Sequence, residues 1–244
     1  MMLTTTDRPF VRLVKTPKAM ALDPKLDVKV EWRKMTPALW TEFKAGKALP
    51  SAMGYYYALE LANALDIPIG IVDSSWGGTN VDTWTPRSGY KGLSGLDIER
   101  DWKMVSQKEW KPSMAKGPIG AAHKQTSALW NGMVAVYTPM SVRGFIWYQG
   151  CSNSREPERY ANKMQALYNG WATEFKNPDL SLYFVQLAPW GFKDIALIQE
   201  AQAKFAAAEK NAAMAVINDV GNLHDIHPSD KRTVAKRLSL HALK

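Results

Sequence analysis

From residue 67 onward the chain alternates short apolar runs with amphipathic stretches, and this alternation restricts the fold more than any other feature. Residues 67–72, 144–149, 182–187 and 214–217 read as strands. Residues 128–137, 156–175, 194–210 and 229–242 repeat apolar positions at helical spacing. Residues 67–72 are apolar almost throughout, as suits a parallel strand covered on both faces. The order predicts a three-layer α/β fold with a parallel sheet. Upstream, residues 11–14 and 28–32 read as strands, residues 37–43 as a short helix opened by Pro37, and residues 51–65 as a helix behind Pro50. Residues 87–126 are rich in Gly, Lys, Ser and Pro. They read as a surface excursion with one helix at 96–110, within a single domain spanning 1–244. Asp194 stands where it would cap the helix at 194–210.

Several function classes fall away on composition. The net charge is +8, yet Lys and Arg are scattered and form no basic run, so nucleic-acid binding is not expected. No apolar run approaches ~20 residues, so no membrane span is expected. The opening residues, MMLTTTDRPF, lack the basic-then-apolar pattern of a signal peptide. Cys151 is the single cysteine, which excludes an intramolecular disulfide and a cysteine-built zinc site and leaves the redox compartment open. Ten tryptophans suit either core packing or a sugar-stacking surface.

Ligands of open parallel sheets bind where strands end at their carboxyl edge. The segments following the four strands are therefore the candidates for chemistry. They begin with Asp73-Ser74-Ser75-Trp76-Gly77-Gly78, Gln149-Gly150-Cys151-Ser152-Asn153, Ala188-Pro189-Trp190 and Asn218-Asp219, the last leading to Asp225-Ile226-His227-Pro228. His227 is the candidate general base, because imidazole titrates nearest neutrality. Asp225 is placed to orient its ring and offset the imidazolium charge. A plain surface loop with a turn aspartate explains the same spacing. Gly77 and Gly78 permit close approach of backbone N–H groups to an oxyanion, or simply a tight strand-to-helix turn. Ser74, Ser75 and Cys151 invite a nucleophile reading, but the Gly-x-Ser-x-Gly elbow is absent and a lone cysteine is usually a packing residue.

These blocks together resemble the sialate O-acetylesterase family, serine esterases of the SGNH-hydrolase superfamily related to acetylxylan esterases. The stretches that carry the resemblance are IPIGIVDSSWGGTNVDTW (67–84, ending in Asp82 and Trp84), LWNGMVAVYTPMSVRGFIWYQGCSN (129–153) and DIHPSDKRTVAKRLSLHAL (225–243). The resemblance implies a flavodoxin-like α/β/α fold, hydrolysis of acetyl esters on sugars, and no metal or organic cofactor. It implies His227 as catalytic histidine, an oxyanion N–H from Gly77 or Gly78, and an oxyanion-binding amide from Gln149 and Asn153, with Trp76 in the substrate site.

Two departures from the family pattern stand out. Many relatives carry Glu where this chain has Cys151, so the resemblance leaves the acid role to Asp225. The family's nucleophilic serine lies in a Gly-Gln-Ser-Asn-Met block on the first sheet strand, and no Gly-Gln-Ser occurs in these 244 residues. The expectation is therefore an N-terminally incomplete esterase domain lacking that strand, impaired in turnover, whose complete form is periplasmic, secreted or lysosomal. Its partner would be an O-acetylated sugar or glycan, with the oligomeric state open. Alternatives are an acetylxylan esterase-like activity, a non-catalytic module holding an acetylated glycan against Trp76, Trp147 or Trp190, and a thiol hydrolase using Cys151.

Overall fold

Along the first strand, β1 (Arg8–Lys15), Val11 and Leu13 turn into a core while Phe10 and Arg12 face solvent. Val14 is also fully buried, so the carboxyl end of the strand is covered on both faces. These features belong to a computed structural model that describes residues 8–44, 51–101, 125–191 and 194–244. The chain divides into two compact units, Met1–Pro17 with Lys29–Ser74 and Ser229–Lys244, and Lys18–Val28 with Ser75–Pro228.

In the first unit β1 lies between β2 (Arg33–Met35), antiparallel to it, and β3 (Ile69–Asp73), parallel to it with Val11 opposite Ile69 and Lys15 opposite Asp73. The strand expected at residues 28–32 thus forms at Arg33–Met35 instead. Alternation of residue type made the earlier segment plausible, but the ladder partners that β1 supplies lie opposite Arg33, Lys34 and Met35. Helix α1 (Pro37–Lys44) follows, then α2 (Ala52–Leu65), whose amino end is capped by Ser51 Oγ accepting from Gly54 N–H at 3.2 Å. Val11, Leu13, Met35, Leu39, Tyr55, Tyr56, Ala58 and Ala62 build the core, together with Ala235 of the closing helix at Lys231–Ala242. Asp73 ends β3 as a structural acid. Its Oδ2 accepts from Lys15 Nζ at 2.6 Å and from Ser51 N–H at 2.9 Å, tying strand end, neighbouring strand and helix start together.

The second unit holds a parallel sheet in the order β4 (Gly144–Trp147), β5 (Ser181–Val185), β6 (Ala212–Ala215), with Phe145 opposite Leu182 and Phe184 opposite Met214. A short helix, α3 (Ile98–Asp101), marks the described start of the expected helix at 96–110; most of that helix and the centre of the 87–126 excursion lie outside the described residues. Helices α4 (Pro157–Glu174) and α5 (Ile195–Ala208) alternate with the strands as the sequence predicts, and α6 (Lys231–Ala242) is the closing helix of the first unit. Asp194 begins α5 through its carbonyl, which accepts from Leu197 N–H, and its side chain makes no capping bond.

The single helix expected at residues 128–137 is instead a π-helical turn, Trp130–Val134, followed by a 3-10 turn, Ala135–Tyr137. The segment 18–28 supplies the reason. Ala21 and Lys25 donate backbone N–H groups to the carbonyls of Ala128 and Asn131, and Asn131 Nδ2 donates to Leu22 O at 2.6 Å. Carbonyls drawn outward in this way widen the helix.

The strands predicted for one parallel sheet therefore stand in two three-stranded sheets. Among the described residues β3 and β4 each lie at an edge. Both are apolar on both faces, Ile69 to Val72 and Phe145 to Trp147, without the lysine or proline that usually guards an edge strand. Ile71, Val72, Phe145 and Ile146 are only half-buried, while Leu182 and Phe184 of β5 are fully buried.

Most of the describable tryptophans serve the core. Trp84, Trp130, Trp147 and Trp171 are buried, with Phe145 and Trp171 at 4.3 Å between ring centroids and Trp84 edge-on to Trp147 at 6.2 Å. Glycines set the approach of the 3-10 turn Arg87–Tyr90 to α4. A Cβ on Gly89 would overlap Ala166 O and stand 3.1 Å from Gly170 Cα, both backbone atoms that cannot swing aside. Gly89→Ala is accordingly expected to lower stability by about 1–3 kcal/mol, read as a fall in Tm of roughly 2–4 °C per kcal/mol for a chain of this size.

Candidate active site

Two hydrogen-bonded groups in the second unit contain the residues singled out by sequence. The first is centred on the turn after β3. Gly78 has φ +74°, a left-handed conformation that glycine adopts without strain, whereas a Cβ on Gly77 would meet open space. Both glycines are exposed, so their N–H groups lie in a part of the turn that a ligand can approach. Thr79 Oγ1 donates to Trp76 O at 2.8 Å and accepts from Trp84 Nε1 at 2.9 Å, which closes the turn over the buried threonine. Trp76 is half-buried, with the Lys18 ammonium 5.5 Å from its ring centroid, within cation–π range.

The turn after β4 reaches the same place. Gly150 takes φ +153°, and the chain then winds through a single 3-10 turn, Cys151–Asn153, held by Asn153 N–H donating to Gly150 O at 2.8 Å. Gln149 Nε2 donates to Thr79 O at 3.0 Å and to Asn153 Oδ1 at 2.8 Å, and its Oε1 accepts from Tyr160 OH at 3.0 Å. Asn153 is buried, and its Oδ1 also accepts from Val81 N–H at 3.0 Å. The backbone donor at Val81 and the backbone acceptor at Thr79 are both satisfied with the amides in this orientation. Asn153 Nδ2 turns away from the glycine turn, toward Glu156 Oε1 at 3.0 Å and Asp82 Oδ2 at 3.4 Å. The structure thus brings Gln149, Asn153 and the Gly77–Gly78 turn together, with the two amides acting as struts behind it.

The second group is the loop after β6. Asp225 Oδ1 accepts from His227 N–H at 2.8 Å, an Asx turn, and lies 3.6 Å from His227 Nδ1. The predicted pair is therefore adjacent, but the ring stands beyond hydrogen-bond distance from the carboxylate that would orient it. Both side chains are largely exposed, 83% for His227 and 56% for Asp225.

Cys151 is half-buried, and desolvation raises its thiol pKa above the usual range, only partly offset by a backbone hydrogen bond. A thiol so placed is a poor nucleophile, which weighs against the thiol-hydrolase alternative. Sequence reasoning missed the groups that hold Asn153, namely Glu156 and its buried partner Lys163. A signal for Lys163 existed, because it occupies an apolar-stripe position of α4 with Tyr160, Met164, Leu167 and Trp171 at helical spacing.

With this geometry in view, the comparisons with known proteins fall into place. The described fold is shared with a solved protein from Arabidopsis thaliana, at TM-score 0.57 and 18% identity over 99% of this chain and 84% of that one. It is shared more closely with a carbohydrate acetylesterase from Xanthomonas citri whose crystal structure is known, at TM-score 0.77 and 31% identity over 97% of this chain and 49% of that one. The class is thus an α/β fold of the carbohydrate acetylesterase type. The family model for carbohydrate esterases, sialic acid-specific acetylesterases, matches residues 12–241, and the chain belongs to that family. Among curated relatives, sialate O-acetylesterase of Rattus norvegicus is 32% identical over 79% of this chain and 42% of its own length. That of Mus musculus is 30% identical over 91% of this chain and 47% of its own. The chain therefore spans less than half the length of these two relatives.

Two measurements check the site. Asn153→Asp would set a third carboxylate against Asp82 and Glu156 and remove two buried donors, so a loss of about 3 kcal/mol or more is expected in urea denaturation at neutral pH. Iodoacetamide is expected to alkylate Cys151 in the folded chain more slowly than free cysteine at the same pH, the two rates converging in denaturant.

Proposed function

We propose that this chain supplies the base, acid and oxyanion side of a sialate 9-O-acetylesterase-like site that hydrolyses acetyl esters on sugars. The family match over residues 12–241 carries the reading, and the exposed Gly77–Gly78 turn braced by Gln149 and Asn153 supports it. The sialate O-acetylesterases among the relatives point to an O-acetylated sialic acid as substrate. No metal or organic cofactor enters the mechanism, and the chemistry is acyl transfer between hydroxyls.

In this mechanism a serine hydroxyl forms a bond to the acetyl carbonyl carbon as His227 accepts its proton. The carbonyl oxygen becomes an oxyanion and receives N–H bonds from Gly77 or Gly78, with the Gln149 and Asn153 amides setting the position of the turn. The ester bond to the sugar then breaks, and His227 returns the proton to the leaving sugar oxygen. Water adds to the acetyl-serine by the same route and releases acetate. Asp225 stabilises the imidazolium once the ring closes the 3.6 Å gap. The attacking serine belongs to a Gly-Gln-Ser segment that these 244 residues do not contain. Loss of a serine nucleophile costs on the order of a million-fold in rate, so the chain alone is expected to be strongly impaired.

The separation between His227 and Asp225 also suits a second reading, in which an acetylated glycan is held beside Trp76 without turnover. Acetate release from p-nitrophenyl acetate and from an O-acetylated sialic acid separates the two. The mechanism predicts weak release by the chain alone that falls further in His227→Ala and is unchanged in Cys151→Ala. Robust release abolished by Ser75→Ala would defeat the assignment of an external serine. Saturable glycan binding with no acetate release would favour the binding module.

A further inference from the structure

The interior of the second unit contains a charged cluster that the proposed mechanism leaves unused. Lys163 of α4 is buried, its side chain 8% exposed, and its ammonium lies 3.0 Å from Asp82 Oδ2 and in direct contact with Glu156 Oε1. Asp82 is buried as well and accepts from Tyr90 OH at 3.1 Å. On the other flank Arg159 pairs with the buried carboxylate of Asp101 and approaches Glu156 at 3.9 Å. Two carboxylates therefore crowd one amide nitrogen, Asn153 Nδ2, with one ammonium bridging them.

Removing a lysine from water carries a large desolvation cost that one ion pair rarely recovers. An apolar residue would suit this stripe position on α4, so the lysine calls for a specific account. Its geometry provides one. With both carboxylates on the Nδ2 side, the Asn153 oxygen is left facing Val81 N–H and Gln149 Nε2, two donors. A reversed amide would set donor against donor on one side and acceptor against carboxylates on the other.

We propose that Lys163 is a positioning residue. By holding Asp82 and Glu156 against Asn153 Nδ2, it fixes the orientation of that amide, and through Val81 and Gln149 it fixes the turn that carries Gly77 and Gly78. The purpose of that turn rests on the acetylesterase reading; the orientation does not.

The test uses the full chain, labelled with nitrogen-15, in wild-type, Lys163→Met and Glu156→Gln forms. The Asn153 side-chain NH2 signals, identified by their loss in Asn153→Asp, and the Val81 amide report the orientation directly. The expected result is a shift of both sets of signals in each variant, with faster hydrogen exchange of the Asn153 amide. Unchanged signals and exchange in folded variants, with only a lower Tm, would make Lys163 merely structural and overturn the proposal. Should Lys163→Met fail to fold, Glu156→Gln decides alone, since it keeps the side-chain length while removing the charge and turning one acceptor oxygen into a donor. Residual acetate release supplies a second readout. Misplacement of the turn is expected to lower kcat by on the order of 100-fold, with KM little changed. A wild-type chain that binds an O-acetylated sialic acid saturably with no acetate release would count against the acetylesterase reading, while the amide signals would still decide the role of Lys163.

Discussion

An ammonium shared between Asp82 and Glu156 is the constraint around which the second unit is organised. The Lys163 and Asp82 charges would be costly where they lie if unpaired, whereas Glu156 is half-buried and completes the pairing from the solvent side. The set joins three elements distant in sequence: the 3-10 turn Asp82–Trp84, the turn Cys151–Asn153 and α4. Neutral groups extend it without adding charge. Tyr90 reaches Asp82, Asn153 reaches Val81, Gln149 reaches Thr79, and Trp171 Nε1 reaches Trp84 O at 2.9 Å. The exposed glycine turn is the outer end of this buried scaffold. Its shape is set by groups that are buried or half-buried.

The sequence carried the elements more clearly than the connections among them. Helical spacing placed α2, α4, α5 and α6 to within a few residues, because one face of each is apolar and its start or end carries Pro, Ser or Asp. Strand pairing is a long-range property and was less legible. Apolar content marked β3 and β4 as strands but could not say which ladder each would join, and Arg33–Met35 displaced 28–32 because pairing with β1 decided the matter. The π-helical turn at Trp130–Val134 was invisible for the same reason, since carbonyls drawn to Ala21 and Lys25 widen it from outside.

The site divides along a similar line. Gly77, Gly78, Gln149 and Asn153 could be read from their places after strands, and the structure brings their turns together. The direction of the Asn153 amide could not be read, because it depends on Lys163 ten residues further on and on Asp82 far upstream. Asp73 shows the opposite case. Beside Ser74 it imitates a hydrolase signature, yet its carboxylate is occupied by Lys15 and the start of α2. A polar residue at a strand end is a candidate only until its hydrogen bonds are counted.

The contrast between the two hydrogen-bonded groups has a physical consequence for catalysis. Oxyanion donors stabilise a transition state most when they are in place beforehand, since reorienting dipoles during the reaction consumes the gain. In the proposed mechanism the glycine turn meets that condition, because Asn153 and Gln149 hold it from behind. The Asp225–His227 pair does not, for it is exposed and its ring stands 3.6 Å from the acid. An imidazole in that setting gains orientation only from a further hydrogen-bond partner, and in a serine esterase that partner is the nucleophile's hydroxyl. The part of the proposed site braced by Asn153 and Gln149 is thus already formed. In the proposed mechanism the half that depends on a third catalytic group is the half left open, since the His227 ring lacks a hydrogen bond to its acid at 3.6 Å.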